Sequence, residues 1–282
     1  MKIAAFELDG RSALGRVEGD DLIVLQEGDA GAALLSIIEG GSVASEGRRI
    51  ALADVKLSPP VVSPRAAVIC VGKNYHAHAK EFFGSGFDSS AKEEVPSQPV
   101  IFAKAGSCLV GPGADVNASL DPTATVDYEG ELAIVIGKTA HRVSKEDAYD
   151  CIFGYTICND VTSRELQKRH NQWLIGKSLD TFGPLGPWIV TADELGDVRD
   201  LELTTTINGE VRQKAKVSDL IFDIPTLIET LTATMTLHPG DIIATGTPAG
   251  VGIGFQPPRY LRPGDLMEVS ISGIGTLANK VI

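Results

Sequence analysis

The chain has 282 residues, 43% of them hydrophobic, and a formal net charge of −12, which describes a globular protein with enough apolar residues for one large core or a medium and a small one. An acidic chain of this kind excludes nucleic acid and anionic membrane surfaces as partners, since both require clustered cations that the sequence lacks. Glu7 and Asp9 stand where a secretion leader would be apolar, and no stretch reaches the ~20 apolar residues of a membrane span, so a cytoplasmic protein with no membrane partner is expected.

Residues 3–25 alternate apolar and polar side chains between Asp9-Gly10 and Asp20-Asp21, the pattern of a tight-turned β-meander. Residues 30–40 then read as one helix stopped by Gly40-Gly41. The Pro-dense stretch from Ser58-Pro59-Pro60 to Ser63-Pro64 marks a boundary, because Pro fixes φ and donates no hydrogen bond. Residues 1–63 are therefore expected to form a small N-terminal unit and residues 64–282 the main domain.

The main domain opens on a strand at Ala66–Val71, followed by a helix from Tyr75 onward. On that helix His78 and Glu81 stand at i and i+3, so the carboxylate can hold one imidazole nitrogen and leave the other free to take a proton, although a simple surface pair has the same spacing. His76 diverges from His78 by roughly 200° on a helix, which argues against a His-x-His metal site. Residues 84–98 have no clean period and read as a loop, either a lid over the base or a surface excursion. Pro99–Lys104 reads as a strand ending in a cation.

Glu129-Gly130-Glu131 opens the apolar strand that runs to Gly137. A period of two puts both glutamates on one face, roughly 6–7 Å apart at Cα, so they suit one hard divalent cation or a solvated strand edge. A short helix is expected near Ser144–Tyr149. Asp160 follows the apolar strand 154–159, as a third carboxylate ligand or a helix N-cap. Arg164 and Gln167 are i,i+3 neighbours suited to gripping an acid, or surface groups. Lys177 is held among turn-forming residues, and its Gly-Lys-Ser is not a phosphate loop, because the earlier glycine and strand are missing. A helix over Asp223–Thr234 and strands after Pro239-Gly240-Asp241 and Pro263-Gly264-Asp265 follow. Between those turns, the loop Thr245–Gly252 offers amides and hydroxyls to a carboxylate and has no nucleotide fingerprint. Cys70, Cys108, Cys151 and Cys158 have no Cys-x-x-Cys spacing and read as small core residues.

In order along the chain, these motifs are Asn-Tyr-x-x-His-Ala-x-Glu, Pro-Val-Ile-Phe-x-Lys, Glu-x-Glu-Leu-Ala-x-Val-Ile-Gly, Gly-Tyr-x-x-x-Asn-Asp-Val-Thr-x-Arg-x-Leu-Gln, Gly-Lys-Ser-x-Asp-Thr-Phe-x-Pro-Leu-Gly-Pro and Thr-Gly-Thr-Pro-x-Gly-Val-Gly. From about Val68 to the C-terminus they resemble the fumarylacetoacetate hydrolase family. The resemblance implies an α+β, mostly β fold, with a rolled or barrel-like mixed β catalytic domain, a small N-terminal α/β domain and a homodimeric assembly. It also implies one Mg²⁺ or Mn²⁺ per chain on Glu129, Glu131 and Asp160, a water-activating pair of His78 and Glu81, and Lys177 as an active-site cation. Thr247 falls in the substrate site by the same comparison. With Lys104, Arg164 and Gln167 orienting a small 2-oxo or 2,4-diketo acid, the implied reaction is hydrolysis of a C–C bond in an acylpyruvate through a metal-stabilised enolate. Decarboxylation of oxaloacetate-like acids and tautomerisation or hydration of 2-oxo acids need the same enolate and are the alternatives, with a non-catalytic keto-acid sensor outside both. Two departures from the family pattern are Ala77, where many relatives carry Asp before the base, and the absence of a carboxylate between Ala66 and Tyr75. Three protein ligands would leave about three of six octahedral positions for water and substrate.

Overall fold

The computed structural model describes residues 1–43, 47–63, 65–87 and 93–282. Pro64, in the expected boundary, and residues 88–92, in the centre of the expected lid, lie outside them.

The N-terminal third begins as the meander expected from its alternation: β1 (Lys2–Leu8), β2 (Arg11–Glu18) and β3 (Asp21–Gly28). Helix α1 (Ala30–Ile38) starts where the Asp29 side chain accepts the Ala32 N–H, which satisfies one of the orphan donors of the first turn. Two short strands, β4 (Arg49–Ala51) and β5 (Lys56–Ser58), close this region. Next come β6 (Val68–Gly72), α2 (His76–Ser85), β7 (Val100–Lys104), β8 (Leu109–Val110), β9 (Val126–Asp127) and β10 (Gly130–Ile136). The middle of the chain supplies β11 (Ile152–Asn159), β12 (Thr162–Ser163), α3 (Arg164–Arg169), α4 (Leu174–Lys177), β13 (Gly183–Thr191) and α5 (Ala192–Leu195). The chain ends with β14 (Glu202–Ile207), β15 (Glu210–Lys216), α6 (Ile224–Thr232), β16 (Ile242–Ala244), β17 (Leu266–Ile271) and β18 (Gly275–Lys280).

The helix expected near Ser144–Tyr149 is a turn followed by a short 3₁₀ segment, Ala148–Cys151. Ser144 Oγ donates to Asp147 Oδ2 at 2.9 Å, the kind of local side-chain bond that competes with helix. Lys177 ends a one-turn helix where the sequence suggested turns. The helix expected at 223–234 is present as α6, with Asp223 accepting from Thr226 N and Pro225 in the first turn.

Among the described residues, a twelve-stranded sheet runs β4-β3-β2-β1-β13-β11-β10-β16-β6-β7, with β5 and β8 attached to β1 and β13. A four-stranded sheet runs β15-β14-β17-β18. The fold is therefore α+β and mostly β. The large sheet crosses the division expected at residue 63, because β1 pairs antiparallel with β13 through Lys2↔Val190 and Ile3↔Ile189.

Strand β10 sits in the middle of this sheet, between β11 and β16, and both of its faces are covered. Leu132, Ile134 and Ile136 enter a core shared with β14, β17, β18 and α6. Ala133 and Val135 enter a second core with Leu34 and Ile38 of α1 and Ile3 and Ala5 of β1. A strand buried on both faces reads as a continuous apolar run, as Leu132–Ile136 does. Burying each large aliphatic side chain stabilises the fold by roughly 1.5–3 kcal/mol, so the strand that carries the glutamates is anchored from both sides. Among the described residues no helix is long and apolar enough to cross a membrane.

Gly130 stands between the two glutamates because the small sheet packs directly on it. A Cβ there would lie 2.3 Å from Thr205 Oγ1 and 2.9 Å from Val269 Cγ1. Gly130→Ala is expected to lower unfolding free energy by about 1–3 kcal/mol through overpacking. Urea denaturation checks this, and adding Thr205→Ala, which removes the nearest atom, should recover part of the loss.

Candidate metal centre and active site

The site forms where the β10–β11 ladder runs out. Gly130 pairs with Asn159 in the last rung, Asn159 Oδ1 accepts from Glu129 N at 3.0 Å, and Asp160 N donates to Glu129 O at 2.8 Å. This extra rung brings Asp160 beside the two glutamates, although 29 and 31 residues separate them in the chain. Ligand oxygens of Glu129, Glu131 and Asp160 all lie within 4.8 Å of one another, and all three residues are buried.

Three cations enter the same cluster. Lys177 Nζ lies 2.8 Å from Glu129 Oε2 and 2.6 Å from Asp160 Oδ2. Lys104 Nζ lies 2.8 Å from Asp160 Oδ1 and also donates to the carbonyls of Val161 and Lys177. Arg164 Nη1 lies 2.6 Å from Glu129 Oε1, and its Nε donates to Asp127 Oδ2 at 2.9 Å. Four buried carboxyl groups (Asp127, Glu129, Glu131, Asp160) thus share three contacting cations (Lys104, Arg164, Lys177).

Titration follows these contacts. Burial opposes ionisation of Glu129, but Lys177 and Arg164 hold its carboxyl well below the usual range. Glu131 touches no ammonium or guanidinium among the described residues, and burial together with the charges of Asp160 and Glu129 pushes its carboxyl well above the usual range. Its Oε2 accepts the Gly246 N–H at 2.8 Å. Burial also raises the Asp127 carboxyl, against the pull of Arg164.

The base pair stands on α2. His78 is buried, its Nδ1 lies 3.2 Å from Glu81 Oε2, and its ring stacks on Phe82, whereas His76 is exposed. A carboxylate only accepts, so Nδ1 carries a proton, and in the neutral ring Nε2 is the nitrogen with the lone pair.

Six of the residues singled out from the sequence line one cleft: His78, Glu129, Arg164, Gln167, Lys177 and Thr247. Glu131 and Asp160 join it through Glu129 and Lys177, and Glu81 through His78. Lys104 does not line the cleft; its ammonium is fully buried against Asp160. Thr247 lines it with a hydroxyl that already donates to Gly130 O at 3.0 Å and accepts from Gln213 Nε2 at 2.7 Å. The sequence reading missed Asp127, Gln213 and Lys73, the last buried in the cleft lining with its ammonium donating to Glu93 O at 2.8 Å. Asp127 shares the strand parity of Glu129 and Glu131 and was legible on that ground. Gln213 comes from the distant β15, and no local pattern marks it.

A divalent cation fits these residues. The donors are hard oxygens from three converging buried carboxylates, as Mg²⁺ and Mn²⁺ prefer, and the Lys177 ammonium between Glu129 and Asp160 shows that this position attracts positive charge.

Comparison with known proteins gives concordant results. The family model described as fumarylacetoacetate (FAA) hydrolase C-terminal matches residues 67–282, and the model described as Rv2993c-like, N-terminal matches residues 1–60. The chain is 43% identical to the oxaloacetate tautomerase YisK of Bacillus subtilis over 307 aligned residues, covering 100% of both chains. Among solved structures, a fumarylacetoacetate hydrolase from psychrophilic Exiguobacterium antarcticum superposes with a TM-score of 0.84 at 42% identity, covering 100% of this chain and 99% of that one. The maleylpyruvate hydrolase of Sphingobium sp. SYK-6, in complex with manganese(II) ion and pyruvate, superposes with a TM-score of 0.76 at 34% identity over the same shares.

Because the Glu131 carboxyl is pushed up, a cation arriving there must displace its proton where the group is still protonated. Mn²⁺ titrations in two buffers of different ionisation enthalpy are expected to show net proton release and an affinity that falls with falling pH. Glu131→Gln should abolish the proton release and weaken Mn²⁺ at least ~10-fold; unchanged stoichiometry and affinity in that variant would remove Glu131 from the ligand set.

Proposed function

The chain belongs to the fumarylacetoacetate hydrolase family, and on that basis and the geometry of its cleft we propose a divalent-metal-dependent enzyme that interconverts the keto and enol forms of a small 2-oxo acid of the oxaloacetate class. The observation that carries this reading is one cleft lined by an oriented imidazole, a guanidinium and an ammonium, beside three converging carboxylates. Full-length identity to an oxaloacetate tautomerase supports the same substrate class.

Glu129, Glu131 and Asp160 would hold the cation, which supplies a Lewis acid for the carboxylate and 2-oxo oxygens and so acidifies the neighbouring C–H bond. Every other role falls to the chain. Among the described residues Arg164 Nη2 is buried with no partner, and with Gln167 it holds the substrate carboxylate. His78 Nε2 takes a proton from C3, the C–H electron pair becomes the C2–C3 double bond, and the 2-oxo oxygen receives the charge. Glu81 keeps the imidazole in the tautomer that can accept and supports the imidazolium that forms. An ammonium has three donors, and Lys177 keeps one beyond its bonds to Glu129 and Asp160 for that oxygen. Return of the proton to oxygen gives the enol, and its return to C3 gives the keto acid. Lys104 acts one contact further back, fixing Asp160.

The hydrolytic reading uses the same groups, with His78 taking its proton from a water that attacks a distal carbonyl. The His78–Glu81 pair favours it as a second reading, as does likeness to a maleylpyruvate hydrolase.

Purified protein with Mn²⁺ or Mg²⁺ is to be assayed against oxaloacetate by enol absorbance and against acylpyruvates by cleavage. Tautomerisation is expected to dominate, and His78→Ala is expected to slow it ~10²-fold or more with Mn²⁺ binding intact. Faster acylpyruvate cleavage would install the hydrolytic reading; binding without turnover of any substrate would make the protein a sensor.

A further inference from the structure

The segment 250–254 contributes no group to the chemistry above, yet its amides end on two carboxylates that the chemistry depends on. Gly250 N donates to Glu81 Oε1 at 3.0 Å and Oε2 at 3.3 Å. Two residues on, Gly252 N donates to Asp127 Oδ1 at 2.6 Å and Ile253 N to Asp127 Oδ2 at 3.1 Å. Hydrogen bonds to an ionised acceptor are the stronger kind, and rigid backbone donors fix where the acceptor sits. The donors are rigid because Val251 and Ile253 are buried with Phe82 and Trp173 in one apolar cluster, leaving the intervening amides to face the carboxylates.

Asp127 transmits that position to the guanidinium. Its Oδ2 takes Arg164 Nε at 2.9 Å, while Nη1 is held by Glu129 Oε1 at 2.6 Å and Gln167 Oε1 at 3.2 Å. With two nitrogens engaged, the plane of the group is set, and Nη2 is the buried nitrogen left without a partner. The contacts also explain two glycines. A Cβ at position 252 would stand 2.5 Å from Arg259 O and 2.6 Å from Asp127 Oδ1, and one at 254 would stand 1.8 Å from Glu81 Oε1.

We propose that residues 250–254 form a positioning strap that sets the two halves of the site relative to each other. One end holds Glu81 behind the base; the other holds Asp127, the positioning residue for Arg164. The inference rests on the reading of Arg164 as the grip on a substrate carboxylate.

The test uses the full chain loaded with Mn²⁺ and oxalate as the probe, measuring Mn²⁺ affinity, oxalate affinity and oxaloacetate turnover for each variant. Asp127→Asn alters the contact at the carboxylate, and Gly252→Ala crowds it from the strap while also meeting Arg259 O. Each is expected to weaken oxalate about tenfold or more, with Mn²⁺ affinity within about twofold, and the double variant should cost little more than the worse single one. Gly254→Ala is expected to lower turnover about tenfold or more while oxalate binding holds. Oxalate binding unmoved by Asp127→Asn and Gly252→Ala, or Mn²⁺ and oxalate weakened in parallel, overturns the proposal. Asp127→Asn and Gly252→Ala each decide it alone, so failure of one to fold leaves the other. An unaltered protein that binds oxalate but turns over no 2-oxo acid refutes the proposed reaction and leaves the strap to be judged on oxalate; one that binds no oxalate overturns both.

Discussion

Four carboxylates and three cations share one dry pocket at the end of a β-ladder, and the rest of the site is arranged around that inequality. Removing a charge from water costs several kcal/mol even after relaxation, and only close opposite charges and hydrogen bonds offset it. Asp127, Glu129 and Asp160 each have a cation in contact. Glu131 has the Gly246 amide and the repulsion of its neighbours. Glu131 is therefore the carboxyl that no cation touches among the described residues, which makes the cluster receptive to a divalent cation. A structural ion-pair network of equal charges would have no such receptivity.

The same inequality explains why the cluster is built on β10. Carboxylates that repel one another stay together only on a strand that cannot yield, and β10 is packed on both faces and paired on both edges. Gly130, pressed against Thr205 and Val269, lets the small sheet brace the strand at the point where the glutamates leave it. Loops supply the remaining parts: Gly246 reaches Glu131, and Thr247 ties back to Gly130. Rigid strands thus carry the charge, while loops carry the amides that orient it.

On the proposed reading, a site of this kind would perform one step common to several reactions, the formation of an enolate next to a chelated carboxylate. What happens next depends on what the distal part of the substrate meets. Proteins similar to this chain include one named a tautomerase and one named a hydrolase. The imidazole held by Glu81 bears on that next step more directly than the carboxylates do.

Much of this was legible in the sequence, because the groups concerned are encoded by local periodicity. Period two on a strand put Glu129 and Glu131 on one face, and i,i+3 spacing on a helix put Glu81 beside His78 while turning His76 to solvent. The meander, α1, α6 and the strands after the two Pro-Gly-Asp turns were readable for the same reason. The expected helix at 144–149 failed because Ser144 bonds Asp147 locally, a competition that propensity does not resolve. Lys104 looked like a substrate-facing cation at a strand end, and only the fold shows its ammonium enclosed by Asp160 and two carbonyls. Sequence by itself determined which residues carry charge and which side of each element they occupy, since those follow from the period of the backbone. Tertiary structure alone decided which charges meet, that Glu131 has no cation in contact among the described residues, and that amides of residues 250–254 hold Glu81 and Asp127, because each of these is a matter of contacts between segments far apart in the chain.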